Sequence, residues 1–401
     1  MNEQQKALVK GTVPVLKENG VLLTTHFYER MFKHNPELKH VFNMGNQQNK
    51  KQQTALAMAV LAYAEHIDNP GILMPVVDSI GQKHTSLDIR PEQYAIVGGH
   101  LIASISEVLG DAASEDLLKA WEQAYHELAQ LMSGHEQKLY KEKSTKSGGW
   151  VGWRPFRVEK KIKESAEITS FYLYPTDNGP VADFLPGQYV SLRLFLPELG
   201  LLQPRQYSIS CKPNGIYYRI SVKKEIGAKQ PDGMISNRLH QHIEEGAIID
   251  LSAPSGNFIL KQGETSPQVF ISGGIGQTPL LSMLEHLVDR KSPVPITWIH
   301  GCRNEQVHAF KQHLHHISSQ HGKLQQHIFY DVVSDSKTGD ILPGWVSLNK
   351  IPEEFLYRQA QYYICGPGPF IKTHYNYLLS IGISKDSIHF EEFGPASISA
   401  A

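Results

Sequence analysis

The chain has 401 residues, of which 41% are hydrophobic and 20% charged, and its formal net charge is −1. This composition is typical of a soluble globular protein of two or three domains, and it provides no overall charge that would favour nucleic acid or an anionic membrane surface. The three cysteines, Cys211, Cys302 and Cys365, are widely spaced, which excludes a disulfide framework and a CxxC metal site and fits a reducing cytoplasm. The first ten residues, MNEQQKALVK, lack the apolar segment of a signal peptide. We therefore expect a cytoplasmic protein with no obligatory membrane association.

Residues 1–143 have the pattern of successive helices. The segments TALAMAVLAYAEHI and DLLKAWEQAYHELAQLM carry apolar residues at three- and four-residue spacing. The pattern predicts an all-α domain of about six helices, with breaks at KENG, HNPE, DNPG, IRPE and GDAAS. A basic stretch that contains serine and glycine, residues 144–150, then predicts a linker.

Two further domains are predicted after the linker. Residues 151–262 contain short alternating segments, among them ITSFYLYP, RQYSISC and IYYRISVKK, which predict a small antiparallel β-barrel. Residues 263–401 alternate strand and helix patterns, which predict a doubly wound parallel α/β sheet. The predicted protein is therefore multidomain: helical, then barrel, then α/β.

A glycine-rich turn follows the first strand of the α/β domain, in the sequence QVFISGGIGQTPLL. Gly273, Gly274 and Gly276 allow close approach to a diphosphate, and a helix beginning there would offer free N–H groups. Thr278 suits the N-cap of that helix and Pro279 its first position. A plain turn between strand and helix is the alternative explanation of the stretch. A second such turn, in YYICGPGPF, favours a ligand site, because the carboxyl ends of parallel strands meet at one crevice.

The barrel contains a second candidate binding stretch, QPRQYSIS, at residues 203–210. Arg205 offers a forked donor for phosphate and Tyr207 a ring that can stack on a planar cofactor. Farther along, Ser236 in DGMISNRLH is predicted to cap a helix N-terminus, which is a site for anions. Each piece alone also fits an ordinary strand or an ordinary cap.

These motifs together resemble the ferredoxin-reductase superfamily over about residues 151–396. RQYS is similar to its flavin motif, GGIGQTP and CGPGPF to its nicotinamide-nucleotide loops, and EEFG to the segment that closes over the flavin ring. The resemblance implies bound FAD and NADH or NADPH. The predicted FAD contacts are Tyr189, Arg205, Gln206, Tyr207, Ser208, Ser236, Glu392, Phe393, Gly394 and Pro395. The predicted NAD(P) contacts are Gly273, Gly274, Ile275, Gly276, Gln277, Thr278, Pro279, Arg303, Cys365, Gly366 and Pro367.

The choice between NADH and NADPH stays open in the sequence. After the second nucleotide strand comes IHGCRNEQ, with no acidic residue at the strand end to hold a ribose 2′-hydroxyl. His300 or Arg303 could instead accept a 2′-phosphate, whereas the resemblance favours NADH.

A flavin reductase fused to a helical domain needs an electron acceptor there. No cysteine precedes Cys211, which excludes an iron–sulfur cluster held by thiolates. Leu73, Val76, Ile80 and His84 lie at helical spacing, so His84 extends an apolar stripe, as a buried haem ligand must. Core packing explains the same pattern without a ligand.

The segments HFYERMFKHNPELKHVFNMGNQ and QKHTSLDIRPEQYAIVGGHL resemble bacterial flavohaemoglobins, and with the reductase this resemblance spans nearly the whole chain. It implies a globin with haem b. Its implied residues are the proximal iron ligand His84, the proximal partners Tyr94 and Glu136, the distal residues Tyr28, Gln52 and Leu56, the porphyrin contact Phe42, and the haem–flavin junction pair Lys83 and Glu391. Read alone, Tyr28 could be a core tyrosine, and Gln52, Lys83 and Glu391 ordinary surface residues.

The resemblance implies a nitric oxide dioxygenase, in which NAD(P)H reduces FAD, FAD reduces the haem iron, and nitric oxide and dioxygen become nitrate. Two alternatives remain: a gas-binding or sensing globin that reduces itself, and a general NAD(P)H flavin reductase of external acceptors. We expect dioxygen and nitric oxide as partners, no nucleic acid, and a monomer.

Overall fold

The computed structural model of the chain describes residues 1–48, 50–227, 232–263, 265–333 and 341–393. A helical unit, an antiparallel sheet and a parallel sheet with helices follow one another along the chain. This order confirms the predicted fold class. The predicted boundaries at 143, 150 and 262 remain predictions.

The helical unit contains seven α-helices in the residues described. They are α1 (Glu3–Gly11), α2 (Val13–His34), α3 (Met44–Gln48), α4 (Lys51–Glu65), α5 (Met74–Ser86), α6 (Pro91–Leu109) and α7 (Glu115–Thr145). The predicted break at KENG is wrong, because α2 continues through it. A Cβ atom built on Gly20 would lie 3.3 Å from the Cβ of Ala57 in α4. The glycine therefore lets two helices pack closely and does not end one.

Local capping explains where the two helices that carry the proximal residues begin. Ser114 caps α7 by accepting a hydrogen bond from the Leu117 backbone amide at 3.2 Å, and Glu115 supplies negative charge in the first turn. Helix α5 has Pro75 in its first turn, where no backbone donor is lost. Helix α5 buries Val77 in its middle and carries His84 in its last turn.

The second unit is a six-stranded barrel. Its strands are β1 (Arg154–Lys163), β2 (Ile168–Pro175), β3 (Tyr189–Leu196), β4 (Leu201–Ser208), β5 (Tyr218–Lys223) and β6 (Ile248–Leu251), and it also contains helix α8 (Met234–His242). The strands are antiparallel in the order β4-β3-β6-β1-β2-β5. An antiparallel bridge between Ile209 and Ile220 joins the end of β4 to β5 and closes the barrel.

The third unit is a six-stranded parallel sheet with helices. Its strands are β7 (Gln268–Gly273), β8 (Ile296–Cys302), β9 (Leu324–Tyr330), β10 (Ile341–Pro343), β11 (Gln361–Gly366) and β12 (Ile388–Glu392), and its helices are α9 (Gln277–Asp289), α10 (Lys311–Gln320) and α11 (Gly368–Ser380). In the sheet order β10-β9-β8-β7-β11-β12, strands β8 to β10 lie on one side of β7, and β11 and β12 lie on its other side. The order in which the parallel strands are added therefore changes side between β7 and β11. Both glycine-rich turns therefore lie at this switch point, where doubly wound sheets bind ligands.

The segment predicted as a linker is packed against the barrel. Helix α7 extends to Thr145, and a Cβ on Gly148 would lie 2.6 Å from the carbonyl oxygen of Pro180. The ring of Trp150 lies 5.6 Å from that of Phe156 in β1, and its indole N–H donates to the Leu251 carbonyl at 3.2 Å. The helical unit is therefore joined to the barrel by a short, packed connection.

Among the described helices, one segment, Pro91–Ala112, is long and apolar enough to cross a membrane by length and composition. It is formed by α6 and the turn after it. Helix α6 packs against α2 and α7, and its Leu101 and Ile105 lie in the core of the helical unit. Of its most apolar 18-residue window, 28% is buried inside the protein.

Two adjacent glycines in α6 give a test of this packing. A Cβ on Gly98 would lie 2.3 Å from the Tyr125 ring in α7, whereas nothing lies within 4 Å of a Cβ on Gly99. We expect Gly98→Ala to lower the free energy of unfolding by about 1–3 kcal/mol through overpacking. Gly99→Ala should raise it by about 0.5–1 kcal/mol through helix propensity. Denaturant unfolding measures both, and equal effects of the two substitutions would contradict this packing.

Candidate active site

One cavity of about 1900 Å³ lies where the three units meet. It is lined by α4 and α5 of the helical unit, by β4 and α8 of the barrel, and by the glycine-rich turns and β12 of the parallel sheet. The predicted site residues that line it are Tyr28, Phe42, Gln52, Leu56, Lys83, His84, Tyr189, Arg205, Gln206, Tyr207, Ser208, Ser236, Ile275, Thr278, Glu391, Glu392 and Phe393. Residues from all three units therefore share a single interior space.

His84, which lines this cavity, forms a hydrogen-bonded cluster with Tyr94 and the buried Glu136. The Nδ1 atom of His84 lies 2.7 Å from Oε1 of Glu136 and 3.0 Å from the Tyr94 hydroxyl. The same hydroxyl donates to Glu136 Oε1 at 2.5 Å, and the Glu136 residue is only 2% exposed. Burial and the Glu136 charge raise the pKa of Tyr94, so this phenol stays a donor. The cluster fixes Nδ1–H toward the carboxylate and leaves Nε2 as the nitrogen for a metal.

Aromatic and amide side chains also line the helical part of the cavity. The rings of Tyr28 and Phe42 lie 5.7 Å apart in an edge-to-face arrangement. Tyr28 is 6% exposed, and burial raises the pKa of its hydroxyl, so this group remains protonated. Gln52 accepts a hydrogen bond at 2.7 Å from the side chain of Gln47, a residue that the sequence analysis did not single out. Leu56 supplies apolar lining near these donors.

This arrangement fits a haem. The donor set is one imidazole nitrogen, and the lining around it is apolar, with Val76 and Ile80 from α5 and Leu87 beyond it. A histidine whose second nitrogen is held by a carboxylate is the expected proximal ligand. Tyr28 and Gln52 provide polar side chains that can hydrogen-bond a ligand on the iron.

Lys83 and Glu391 come from different units and line the same cavity. Burial lowers the pKa of Lys83 and raises the pKa of Glu391 to about 8. Among the described residues, Oε2 of Glu391 has no hydrogen-bond partner. A buried polar atom of this kind fits a polar group of a bound ligand.

The flavin residues of the barrel lie along β3 and β4. Burial lowers the pKa of Arg205 to about 10, and its guanidinium donates to the Pro204 carbonyl at 2.6 Å. Tyr189 is hydrogen-bonded to Ser86 of α5, and a Cβ on Gly256 would lie 2.8 Å from its ring. Gly256 therefore leaves the room that the Tyr189 ring occupies beside the cavity.

Ser236 also lies in the cavity wall, but the predicted N-cap is wrong. Helix α8 begins at Met234 after the cap residue Gly233, so Ser236 is inside the first turn. Its hydroxyl donates to the Gly233 carbonyl at 3.1 Å. From the C-terminal segment, Glu392 and Phe393 line the cavity, and Phe393 is 43% exposed. Gly394 and Pro395, the last two predicted flavin contacts, lie outside the described residues.

The nucleotide turns are shaped by close backbone contact. A Cβ on Gly276 would lie 2.1 Å from the Cys365 carbonyl oxygen, so only glycine fits where the two turns meet. The predicted N-cap role of Thr278 is wrong, because α9 begins at Gln277 and the Thr278 hydroxyl donates to Ile275 at 3.1 Å. Within the described residues, both amide atoms of Gln277 are buried without a partner, which fits a polar ligand at this helix start.

The other predicted nucleotide contacts are divided. Gly273, Cys365 and Gly366 end strands β7 and β11, and Gly274 and Pro367 directly follow them. The predicted first helical position of Pro279 is wrong, because it is the third residue of α9. Burial raises the pKa of the Cys365 thiol. His300 cannot reach a 2′-phosphate, since it is fully buried in β8 and bonds Ser272 at 2.8 Å. Arg303 follows β8 outside the cavity lining and is ion-paired with Glu167.

Sequence reasoning missed a second face of the site on α11. Lys372, Tyr375 and Asn376 line the cavity with Gly368, the first residue of that helix. They follow Gly368 by four, seven and eight residues, which places them on one helix face, and that spacing was the available signal. Lys223, at the end of β5, also lines the cavity and had no such signal.

Comparisons with known proteins agree with this geometry. Residues 25–132 match the globin family model and residues 270–375 the oxidoreductase NAD-binding domain model. A flavohemoprotein of Bordetella parapertussis is 48% identical, covering 99% of this chain and 100% of that protein.

Two solved structures are also similar. A flavohemoglobin from Malassezia yamatoensis with bound FAD and heme has a TM-score of 0.86 at 26% identity, covering 98% of this chain and 99% of that one. The FAD/NAD-binding domain of nitric oxide dioxygenase from Vibrio cholerae has a TM-score of 0.55 at 34% identity, covering 60% of this chain and 99% of that one. The chain therefore belongs to the flavohemoprotein family, NAD(P)H oxidoreductases that combine a haem globin with a flavin reductase.

Proposed function

We propose that this protein is a nitric oxide dioxygenase, which uses NAD(P)H to convert nitric oxide and dioxygen to nitrate. The observation that carries the proposal is the shared cavity, in which His84 with its buried carboxylate partner lies in the same space as the flavin strand β4. The name of the Vibrio cholerae relative supports the same reaction.

On the proximal side, Glu136 accepts hydrogen bonds from His84 and Tyr94 through the same oxygen. With haem bound, this carboxylate would make the imidazole a stronger electron donor to the iron, which favours oxygen chemistry over oxygen storage. Tyr94 holds the carboxylate in place. The proximal residues thus provide a reason for chemistry at this site and not only gas binding.

On the distal side, Tyr28 and Gln52 act as hydrogen-bonding groups toward a gas ligand. The raised pKa of Tyr28 keeps its hydroxyl a donor at neutral pH. Gln47 occupies Oε1 of Gln52, which leaves the Gln52 amide N–H₂ group to face a ligand. Leu56 and Phe42 exclude water around these donors.

The residues of the barrel and the parallel sheet are proposed to bind the two cofactors that deliver electrons to the haem. When bound, FAD accepts a hydride from NAD(P)H and releases single electrons, and the haem supplies the dioxygen-binding iron. In this proposal Tyr189, Arg205, Gln206, Tyr207, Ser208 and Ser236 bind the flavin, and the turns containing Gly276 and Cys365 bind the nicotinamide nucleotide. Lys83 of the helical unit and Glu391 of the parallel sheet line the same cavity, where they would adjoin the bound groups. We propose a monomer, since the helical unit, the barrel and the parallel sheet of one chain together line the cavity, and a cytoplasmic location, since the three cysteines are free.

We expect His84→Ala to abolish nitric oxide consumption while NADH-dependent reduction of ferricyanide is retained. The substitution removes the proposed iron ligand and leaves the flavin and nucleotide residues intact. A nitric oxide electrode and an absorbance assay measure the two activities. His126→Ala is the control, because His126 is exposed on α7. Unchanged nitric oxide consumption in His84→Ala would favour a general flavin reductase that acts on external acceptors.

We expect Glu136→Gln to shift the haem reduction potential to a more positive value, because the ferric state loses a buried negative charge beside its ligand. Nitric oxide turnover should fall about tenfold, the scale of outer partners of metal ligands. Spectroelectrochemistry measures the potential. Glu142→Gln, an exposed change on the same helix, should leave it unchanged. An unshifted potential in Glu136→Gln would contradict the proximal role.

The choice of nucleotide gives a third test. Arg303 is the cation nearest in sequence to the end of β8, but Glu167 neutralises it. We expect Glu167→Gln to lower the KM for NADPH about two- to fivefold, because an exposed ion pair of this kind is weak and its loss frees the guanidinium for a 2′-phosphate. The KM for NADH should not change. Arg303→Ala in the same background should cancel the gain, and equal changes for both nucleotides would contradict a phosphate role.

A further inference from the structure

Lys143 is a buried cation at the joint between the helical unit and the barrel. It lies near the end of α7 and is only 8% exposed. Its ammonium donates to Thr85 Oγ1 at 2.7 Å and to Ser255 Oγ at 2.6 Å. Thr85 belongs to α5, and Ser255 to the barrel segment after β6. One side chain therefore ties three separate parts of the molecule.

Each of its two partners lies next to a residue of the proposed electron path. Thr85 directly follows His84, and its hydroxyl donates to the Gly81 carbonyl at 2.9 Å. Ser255 directly precedes Gly256, which packs against the Tyr189 ring. The backbones of Ser255 and Tyr189 also exchange two hydrogen bonds of 2.9 Å. Lys143 thus connects the neighbours of the proposed haem ligand and of a proposed flavin contact.

The two hydroxyl groups offset only part of the cost of burying the ammonium charge. No acidic side chain forms an ion pair with Lys143 among the described residues, and burial, together with Lys146, lowers its pKa to about 7. A buried lysine without an acidic partner costs stability. Both partner hydroxyls donate to backbone carbonyls, so each presents its oxygen to the lysine. The geometry is that of two oriented acceptors built around one donor.

We propose that Lys143 is a positioning residue, which holds the C-terminal end of α5 against the flavin barrel so that electrons pass from flavin to haem. The inference rests on the proposed function, because it assumes that electrons cross this joint. Lys143 touches neither cofactor site itself, since it is not part of the cavity wall. It acts through Thr85 and Ser255.

Other contacts cross the same joint but connect fewer elements. Gly256 donates its backbone N–H to Gln82 Oε1 at 3.2 Å, and Asn257 donates to Asp78 at 2.8 Å. Both join α5 directly to the barrel segment, whereas Lys143 adds α7, the helix that carries Glu136. Removing Lys143 should therefore loosen the joint without separating the units.

The test uses the full-length holoprotein, mixed anaerobically with NADH in a stopped-flow instrument. Flavin reduction and haem reduction are followed at separate wavelengths. Lys143→Met removes the donors at similar length, Lys143→Gln keeps an N–H₂ donor, and Ser255→Ala removes one acceptor. Lys141→Met is the control, because Lys141 is exposed on the same helix. Hydrogen exchange of the peptide 252–257 gives a second readout, which does not depend on turnover.

We expect Lys143→Met and Ser255→Ala each to slow haem reduction about three- to tenfold, as expected for coupled contacts. Flavin reduction by NADH should be unchanged, and exchange at 252–257 should be faster. Lys143→Gln should recover most of the rate. The effects of Lys143→Met and Ser255→Ala should not add, because both remove the same hydrogen bond.

The outcomes separate this inference from the proposed function. Haem reduction at the wild-type rate in both Lys143→Met and Ser255→Ala would overturn the inference alone. A Lys143→Gln variant as slow as Lys143→Met would also overturn it, because hydrogen bonding would not be the cause. A wild-type protein whose flavin is reduced while its haem stays oxidised would contradict the proposed function and this inference with it. If Lys143→Met does not fold, Ser255→Ala decides.

Discussion

The hydrogen bond between Nδ1 of His84 and the buried carboxylate of Glu136, 2.7 Å long, is the interaction on which the rest of the site depends. It orients the imidazole so that one ring nitrogen is held and the other is free. It requires α5 and α7 to lie side by side. The start of α7 is fixed by its N-cap residue, Ser114. Tyr94 of α6 completes the cluster through the same carboxylate oxygen. Three helices of the globin unit therefore meet at one carboxylate oxygen.

The same helix that carries His84 also forms the joint with the reductase. Ser86 accepts a 2.8 Å hydrogen bond from Ser191 of β3, and Thr85 receives one from Lys143. The last turn of α5 thus carries the proposed haem ligand and also contacts the flavin barrel. A flexible linker between globin and reductase would not fix the distance between His84 and the flavin barrel. The packed connection between Thr145 and Trp150 supplies the required constraint.

Much of the fold could be predicted from sequence, because its signals are local. Helical spacing identified the helices, alternation identified the barrel strands, and the glycine turns marked the switch point of the sheet. The break predicted at KENG failed because Gly20 serves contact with Ala57 and not helix termination. The caps at Ser236 and Thr278 failed because these hydroxyls bond carbonyls within the first turn. Such choices depend on tertiary neighbours that a local pattern does not contain.

The site was predicted mainly through the family resemblance, since by periodicity alone His84 was better explained by packing. Lys143 and Ser255 gave no signal, because they are 112 residues apart and neither belongs to a motif. His300 was a wrong candidate for binding a 2′-phosphate, because it is fully buried in β8. The sequence of the strand does not show which of its side chains are buried.

The most direct test of the central claim is the ratio of nitric oxide consumed to NADH oxidised, measured in one vessel with purified protein and dioxygen. A hydride carries two electrons, and each conversion of nitric oxide and dioxygen to nitrate requires one. The account therefore predicts two molecules of nitric oxide consumed, and two of nitrate formed, for each NADH. NADH oxidation that continues without nitric oxide consumption or nitrate formation would contradict it.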